Sequence, residues 1–461
     1  MRAIVSFIHF LEHRLGAEFV YDWARTGYES VDLTRLLELA ETLRVKGIIR
    51  QYGRKLSLPD EPRTAHWYAE FEVNGHKKSG GSSLEDDTLA LTKTLAEAIE
   101  RHAWFTYQQF PSLRKSTVTD IEKEGDSINP ERFAGHRESQ RQKNTRLRLD
   151  PSDSFHWIKG YSWTKKRSSW IPAQVISGSN KLIAFSRLSK EPAIRASITT
   201  GLATHPDRTQ ALLSGALEVI ERDAYIITWL NQLSPPHITL DELTERSESL
   251  AKLVKQCRRY RLEPQILRLP TDAPAYAVCA VLEDTTSGLP RFSFGLKVDR
   301  DPTIAAEGAI LEALRIRSST RMWKMSANNW DRDTKAVDIG HLDRLLYWTE
   351  DNRADRLTFL LRGAIKPLVK EIWEDDSDEE HFARIVQWCR EKGYELVSVS
   401  LTDAPENIPG WHIEMVVIPE LQPMHLSEKL PCVGGERLHD IPRQFGYTPR
   451  EPYLDDPHPF A

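Results

Sequence analysis

Cysteine is scarce in this sequence and never closely spaced. The 461 residues include four cysteines, and no two of them form a Cys-x-x-Cys pair. Since structural zinc sites are built from closely spaced ligands, the spacing argues against a zinc-stabilised domain. Four scattered thiols in a chain of this length are typical of a reducing compartment, so we expect a cytoplasmic protein.

Long apolar runs and an excess of positive charge are also missing. No stretch approaches 18 consecutive apolar residues, so we expect no membrane span. The apolar beginning of the chain is interrupted by His9, Glu12 and Arg14 and has no cleavage site, which argues against a signal peptide. The net charge of −5 gives no support to a nucleic-acid partner or to an anionic membrane surface.

Several widespread catalytic motifs are absent as well. The sequence has no Gly-x-x-x-x-Gly-Lys-Ser/Thr, no Gly-x-Gly-x-x-Gly, no Gly-x-Ser-x-Gly and no His-Glu-x-x-His. These absences disfavour a P-loop ATPase, a Rossmann dehydrogenase, a serine hydrolase and a zinc protease of the common kind. Any enzymatic site must therefore be sought in another pattern.

One eight-residue phrase occurs twice in the chain. Glu-Ala-Ile-Glu-Arg-His-Ala-Trp occupies 97–104, and Glu-Val-Ile-Glu-Arg-Asp-Ala-Tyr occupies 218–225, so that five of the eight positions are identical. Both copies end an apolar run with helical spacing, and we expect both to be helical. Positions three or four apart share a helix face, so each copy sets two glutamates side by side with an arginine next to them.

The repeated face has a chemical use. If two such helices met, they would gather four carboxylates, whose repulsion would split their pKa values. Mg²⁺ would relieve that repulsion, since it prefers oxygen ligands and also binds phosphate oxygens. A single copy would more often be a solvated helix face with internal ion pairs. The recurrence with its apolar frame favours a shared functional site.

The rest of the chain divides by composition. Residues 1–40 have the pattern of a short helical segment, which either packs on the main body or docks a partner. Residues 41–461 form the main domain, with a polar excursion at about 113–155. Residues 79–83 are rich in glycine and serine and predict a flexible loop before the first repeated helix. A third charged helix is expected from Pro302, carrying Glu312, Arg315 and Arg317.

The end of the chain, residues 442–461, is rich in proline. Its prolines exclude helix and interior strand, so the tail must be extended. Composition alone leaves open whether the tail is disordered or an ordered arm. Phe460 is an apolar residue almost at the terminus of a polar segment, and we expect it to be buried.

In four places the sequence resembles the YcaO family. Residues 95–101 are similar to the family's first signature, and 199–203 followed by 215–224 are similar to the second, which is the most specific. Residues 312–317 resemble the third, while 417–425 and 457–460 resemble the end of the azoline-forming branch. The resemblance covers about residues 40–461. It implies an α/β (α+β) fold of mixed sheets with flanking helices and an ATP site without a P-loop.

The resemblance also implies roles for individual residues. ATP and Mg²⁺ would be the cofactors. The metal-binding carboxylates would be Glu97, Glu100, Glu218 and Glu221, and the same four would bind ATP together with Arg101, Ser214, Arg222 and Arg317. The catalytic candidates would be Glu312, Arg317 and Ala461, the last through its terminal carboxylate acting as a base.

The implied reaction is ATP-dependent cyclodehydration of a ribosomally made precursor peptide. A Cys, Ser or Thr side chain attacks the preceding amide carbonyl, the resulting oxygen is phosphorylated, and phosphate leaves to give a thiazoline or oxazoline. No fused leader-binding region is seen, so the resemblance implies a separate E1-like, leader-binding partner, with a flavin-dependent azoline oxidase as a further partner. The chain itself is expected to form a homodimer within such a hetero-complex.

The sequence departs from the family pattern in three places. Lys93 stands where serine is common, Arg315 where glutamine is common, and Ala461 where the branch usually has proline. Thioamide or amidine formation on a peptide remains an alternative, although those branches usually lack the proline-rich end. A non-catalytic ATP-binding scaffold is a further alternative, which Lys93 and Arg315 would favour.

Overall fold

The computed structural model describes residues 32–72, 76–83, 86–107, 113–178, 187, 190–286, 288–326, 341–349, 351–402, 410–425 and 428–460. The helices in chain order are α1 (Leu33–Val45), α2 (Asp87–Thr106), α3 (Val118–Glu124), α4 (Glu138–Lys143), α5 (Arg208–Leu230), α6 (Leu240–Arg246), α7 (Glu248–Arg259), α8 (Pro302–Ser326), α9 (His341–Tyr347), α10 (Asp351–Ala354), α11 (Asp378–Lys392) and α12 (Arg437–Gln444). Shorter 3₁₀ segments are found at Pro130–Arg132, Thr145–Leu147, Ala173–Val175 and Asp355–Arg362.

The strands in chain order are β1 (Gln51–Arg54), β2 (Ala65–Glu72), β3 (His76–Ser83), β4 (Arg114–Thr117), β5 (Ser154–Ser162), β6 (Arg167–Pro172), β7 (Leu202–His205), β8 (His237–Ile238), β9 (Leu262–Arg268), β10 (Tyr276–Asp284), β11 (Phe292–Asp299), β12 (Val397–Ser400) and β13 (His412–Val417). They form a sheet of order β1-β2-β3, a sheet of order β11-β10-β9-β8, and a six-stranded sheet of order β4-β5-β12-β13-β7 with β6 beside β5. Helices thus flank antiparallel sheets, and the expected α+β class is confirmed.

The helix boundaries follow from side-chain caps. Asp86 accepts a hydrogen bond from the backbone N–H of Leu89 at the start of α2, and Asp207 accepts one from Gln210 at the start of α5. Aspartate at this position satisfies a backbone donor that the helix leaves free. Helix α8 begins at Pro302, as the sequence predicts. In the described residues, no helix is both long and apolar enough to cross a bilayer.

The prediction of a flexible loop at residues 79–83 is wrong. These residues belong to β3, which pairs with β2 from Ala65↔Ser83 to Glu72↔His76. The glycines serve close packing: a Cβ on Gly81 would lie 2.2 Å from the carbonyl oxygen of Ala90 in α2. Glycine lets strand and helix approach each other to a distance at which any side chain would clash.

Helix α5 is the central element of the main core. Seventeen of its 23 residues are buried, and it contacts β13, α11, β11 and β7. A second core lies under α1 and α2, and Ile121 and Ile128 of the polar excursion are buried in it. A third core lies between β9, β10, α7 and α8. The site elements α2, α5 and α8 therefore stand on a large apolar base.

The C-terminal tail is an ordered arm. The prediction that its prolines exclude helix is wrong for Pro442, which lies within α12. The indole of Trp229 donates to the carbonyl oxygen of Asp456 (3.1 Å), and the indole of Trp348 donates to that of Pro457 (2.9 Å). Phe460 is only 4% exposed and packs edge-on against Tyr225, with ring centroids 4.6 Å apart. The prediction that Phe460 is buried is confirmed, and the tail lies along α5.

A buried ion network fixes α12 to α5. Arg437 pairs with Asp223 (2.6 Å) and Asp272 (2.9 Å), and all three side chains are at most 4% exposed. Replacing one partner of a buried ion pair leaves its counter-charges unpaired and costs about 3–5 kcal/mol.

We expect Arg437→Leu to lower the melting temperature strongly, because Asp223 would remain buried without its cation. Thermal unfolding followed by circular dichroism measures this effect. Arg443→Leu, on the exposed side of the same helix, is the matched control and should change stability by no more than about 0.5 kcal/mol. Equal melting temperatures for the two variants would contradict the importance of the network.

Candidate active site

One contact recurs three times around the centre of the molecule. The backbone N–H of Gly80 donates to Glu97 (2.9 Å), that of Gly201 donates to Glu218 (2.9 Å), and that of Leu296 donates to Glu312 (2.7 Å). In each case the donor lies on or just before the strand that precedes the helix, 16 or 17 residues upstream. The molecule therefore contains the same strand–helix unit three times: β3–α2, β7–α5 and β11–α8.

Each of these glutamates also has an arginine neighbour on its own helix. Arg101 lies 3.6 Å from Glu97, Arg222 lies 3.3 Å from Glu218, and Arg315 lies 3.2 Å from Glu312. Pairs three or four residues apart on a helix are within reach of each other. One carboxylate oxygen is thus taken by backbone and the other faces a guanidinium.

Two hydrogen bonds tie the three units together. The Arg101 guanidinium donates to the Thr199 hydroxyl (2.6 Å), just before β7. The Arg315 guanidinium donates to the carbonyl oxygen of Gly80 (2.7 Å), whose N–H holds Glu97. Helix α2 is therefore linked to the second unit, and α8 is linked back to the first.

Carboxylates face one another at two of the junctions between units. Burial raises the pKa of Glu100 well above its ordinary value; Arg101 opposes the shift, and the negative charge of Glu218 adds to it. Burial likewise raises the pKa of Glu221 to about 7, with Arg222 opposing and Glu312 adding. Glu100 therefore lies near Glu218, and Glu221 lies near Glu312.

These two carboxylate junctions fit a divalent cation. Buried like charges disfavour ionisation, and a hard cation with oxygen preference restores it. Within the described residues, no three His, Cys, Asp or Glu side chains already converge as a metal cluster. The carboxylate oxygens are instead shared with arginine and backbone N–H groups, so Mg²⁺ would take the place of some arginine contacts.

The other predicted site residues are placed less uniformly. Ser214 is exposed, one turn before Glu218 on α5. Arg317 is only 4% exposed, and its guanidinium contacts Glu61 (3.1 Å), Asp284 (2.5 Å) and the carbonyl oxygen of Pro290 (2.8 Å). These contacts give Arg317 a structural setting away from the carboxylate junctions. Ala461 lies outside the described residues.

Three residues near the site were not predicted as site residues from the sequence, although Lys93 was noted there as a departure from the family pattern. Burial lowers the pKa of Lys93 to about 8, and the charge of Lys297 on β11 adds to this shift. Lys297 also acts against the rise in the pKa of Glu221. Cys279 on β10 is buried beside Glu312 and Glu221, and its pKa is raised, mainly by burial. None of the three belongs to the repeated phrase, so no spacing signal pointed to them.

Comparison with known proteins places this geometry in a family. A family model described as "YcaO cyclodehydratase, ATP- and Mg²⁺-binding" matches residues 84–422, which is well over half of the chain. An uncharacterised protein from Methanothermobacter thermautotrophicus is 25% identical over 180 residues, which are 37% of this chain and 46% of that protein. The matched part is thus less than half of that relative's length.

Solved structures share the fold at low identity. A heterocyclase in complex with substrate and cofactor has a TM-score of 0.73 at 20% identity, covering 94% of this chain and 58% of that one. YcaO from Methanopyrus kandleri, bound with AMPPCP and Mg²⁺, has a TM-score of 0.60 at 18% identity, covering 86% and 92%. The E. coli microcin synthetase McbBCD complex with pro-MccB17 bound gives 0.55 at 13%, covering 80% and 87%.

ATP and Mg²⁺ are the cofactors that the family description and the Methanopyrus structure have in common. They match a site made of partly buried acidic and basic side chains on three helices, with no P-loop in the sequence. The three strand–helix units, the two carboxylate junctions and the match over residues 84–422 lead to one conclusion: this chain belongs to the YcaO family.

Proposed function

We propose that this protein is an ATP- and Mg²⁺-dependent cyclodehydratase that forms thiazoline or oxazoline rings from Cys, Ser or Thr residues of a ribosomally made precursor peptide. The observation that carries the proposal is the pair of partly buried carboxylate junctions, Glu100 with Glu218 and Glu221 with Glu312. Such junctions suit a metal–phosphate group better than a neutral ligand.

The chemistry balances as a loss of water coupled to ATP cleavage. The peptide side chain forms a bond to the preceding carbonyl carbon and gives up its proton. The amide nitrogen then loses its proton, the C=N bond forms, and the carbonyl oxygen leaves as part of phosphate. Bound Mg·ATP would supply the phosphoryl group that makes this oxygen a leaving group.

The residues of the chain would mainly bind and position. Glu97, Glu100, Glu218 and Glu221 would hold the metal, with Glu312 at the second junction. Arg101 and Arg222, which neutralise Glu97 and Glu218 here, would turn to phosphate oxygens when the metal takes the carboxylates. Preorganised charge of this kind accounts for most of the catalysis in phosphoryl transfer.

A base is needed to take the proton of the attacking side chain, and we propose the terminal carboxylate of Ala461. The support is the path of the tail: Phe460 packs on Tyr225, which lies one turn after Glu221 on α5. General-base catalysis typically contributes 10²–10⁴-fold.

The proposed partners are the precursor peptide, a separate E1-like leader-binding protein and, for azole formation, a flavin-dependent oxidase. The McbBCD complex, a structural relative, assembles several proteins with pro-MccB17. We also propose a homodimer within the complex. A cytoplasmic location is supported by the free state of all four cysteines, each of which is buried.

Incubation of the protein with its partner, precursor peptide, Mg²⁺ and ATP should remove one water per modified residue, as measured by mass spectrometry. Glu218→Gln should reduce ring formation at least about 100-fold, because a metal-binding oxygen is lost. Glu122→Gln, on the exposed side of α3, is the matched control and should match the wild type. An exchange of oxygen for sulfur in the peptide would instead indicate thioamide formation.

Glu100→Gln should weaken Mg²⁺ binding at least about tenfold, as measured by the Mg²⁺-dependent rise of the melting temperature. Without Mg²⁺ the variant should melt at or above the wild-type temperature. The raised pKa of Glu100 means that its ionised form costs stability above the unfolded pKa, and glutamine removes that cost. A variant that keeps the full Mg²⁺ effect would remove Glu100 from the metal site.

Deletion of Ala461 alone should reduce ring formation about 100-fold or more, because the carboxylate moves by about 3.8 Å while Phe460 keeps its packing. Longer truncations would be ambiguous, since His458 and Phe460 are buried. Ala461→Gly keeps the carboxylate in place and should remain active. Full activity of the shortened protein would rule out the terminal carboxylate as the base.

A further inference from the structure

Four buried polar side chains, each with at least one polar atom that lacks a hydrogen-bond partner, meet at the C-terminal half of α5. Tyr225, Arg344 and His458 are 0% exposed, and His425 is 5% exposed. The Tyr225 hydroxyl, Nε and Nη1 of Arg344, and Nδ1 of both histidines have no hydrogen-bond partner. Buried polar groups without partners are rare in native proteins, and several together indicate a ligand or an ion.

The four side chains form one cluster. The His425 and His458 rings are 5.6 Å apart, and the Tyr225 and His458 rings are 6.3 Å apart. Burial lowers the pKa of His425 to about 4, and the charge of Arg344 adds to that shift. Burial also lowers the pKa of His458 well below its ordinary value, and Arg344 again adds to the shift, so Arg344 lies close to both rings. We call this group the Arg344 cluster.

The hydrogen-bonding capacity of the cluster is defined. His458 Nε2 lies 2.8 Å from the carbonyl oxygen of His425, which can only accept, so Nε2 donates and Nδ1 is an acceptor in the neutral ring. Arg344 uses Nη2 for Glu428 (2.7 Å), while its Nε and Nη1 atoms are buried without a partner. Tyr225 adds a hydroxyl donor. The cluster thus offers three donors and at least one acceptor.

The electrostatic environment is positive. Burial lowers the pKa of Arg344 itself, Glu428 opposes this, and Arg222 acts on both Tyr225 and His458. Arg222 is three residues before Tyr225 on α5 and pairs with Glu218 and Glu221 at the carboxylate junction. A buried guanidinium with unmet N–H donors is stabilised by an oxyanion, because each N–H···O bond to it is charge-assisted.

We propose that Arg344, Tyr225 and His458 form a subsite for a phosphate group at the C-terminal half of α5. Phosphate fits better than a carboxylate because it carries a third oxygen for the Tyr225 hydroxyl. At neutral pH it also keeps a P–OH proton for Nδ1 of His458. The proposal rests on the proposed function, in which a phosphate is released beside Arg222, and it assigns residues outside the repeated helices to that group.

The occupant has two possible sources, the terminal phosphate of ATP and free inorganic phosphate, and the experiment separates them. The affinity of the full-length protein for inorganic phosphate and for a non-hydrolysable ATP analogue with Mg²⁺ is measured by calorimetry. Tyr225→Phe removes only the hydroxyl, and Arg344→Lys keeps the charge but loses the Nε and Nη1 donors of the guanidinium. Each should weaken binding about tenfold or more.

Weaker binding of inorganic phosphate supports a product-phosphate subsite, and weaker binding of the ATP analogue alone supports a subsite for its terminal phosphate. Tyr447→Phe, whose hydroxyl bonds to the Ser234 carbonyl away from the cluster, is the control and should bind both ligands as the wild type does. Wild-type affinity for both ligands in Tyr225→Phe and Arg344→Lys would overturn the proposal.

Failure of the proposed function would give a different result. In that case the wild type would make no rings, while the loss of phosphate affinity in the two cluster variants would persist. Melting temperatures near that of the wild type identify variants whose fold is intact. If Arg344→Lys unfolds, Tyr225→Phe alone decides, because phenylalanine keeps the ring that packs against Phe460.

Discussion

The site depends on a glutamate oxygen that accepts a backbone N–H from the preceding strand or turn. This bond occurs at Glu97, Glu218 and Glu312, and each time it fixes the carboxylate at the place where strand and helix meet. A charge-assisted bond of this kind is stronger than one between neutral groups. The second oxygen of each glutamate is then directed at the arginine of its own helix.

Glycine makes this geometry possible at all three places, as described above for Gly81, which follows the donor Gly80. Gly201 has a positive φ of 91°, and a Cβ there would lie 2.0 Å from the carbonyl oxygen of Val416. Gly295, next to the donor Leu296, would bring a Cβ to 1.9 Å from the Ala309 carbonyl oxygen. The position of the acidic side chains therefore depends on this close approach of one backbone segment to another. Without it the carboxylates could not reach their N–H donors.

The three strand–helix units differ in the charged groups that they bring together at their junctions. Two junctions bring carboxylates together, whereas the third has Arg315 on the carbonyl of Gly80. Acidic pairs suit a metal, and a guanidinium suits a phosphate oxygen, so a repeated scaffold can hold both parts of a metal–nucleotide complex. The C-terminal tail covers part of the same helix, since Phe460 and His458 pack against Tyr225 in the C-terminal half of α5.

The sequence by itself determined the three acidic helices, the start of the third at Pro302, and the burial of Phe460. These features depend on local spacing and on single residues, such as Asp207 and Pro302, that act on their immediate neighbours. It also carried the resemblance that predicts ATP and Mg²⁺. Its reading of residues 79–83 as a loop was wrong, because the need for glycine came from a helix packed against the strand.

Tertiary structure alone decided which carboxylates face each other, and that Arg317 is held by Glu61 and Asp284 instead of joining the junctions. It also brought Lys297 and the Arg344 cluster to the site from distant parts of the chain. These placements depend on how sheets and helices pack over long sequence separations. A pattern of neighbouring residues does not predict such contacts, because the path of the whole backbone decides which side chains meet.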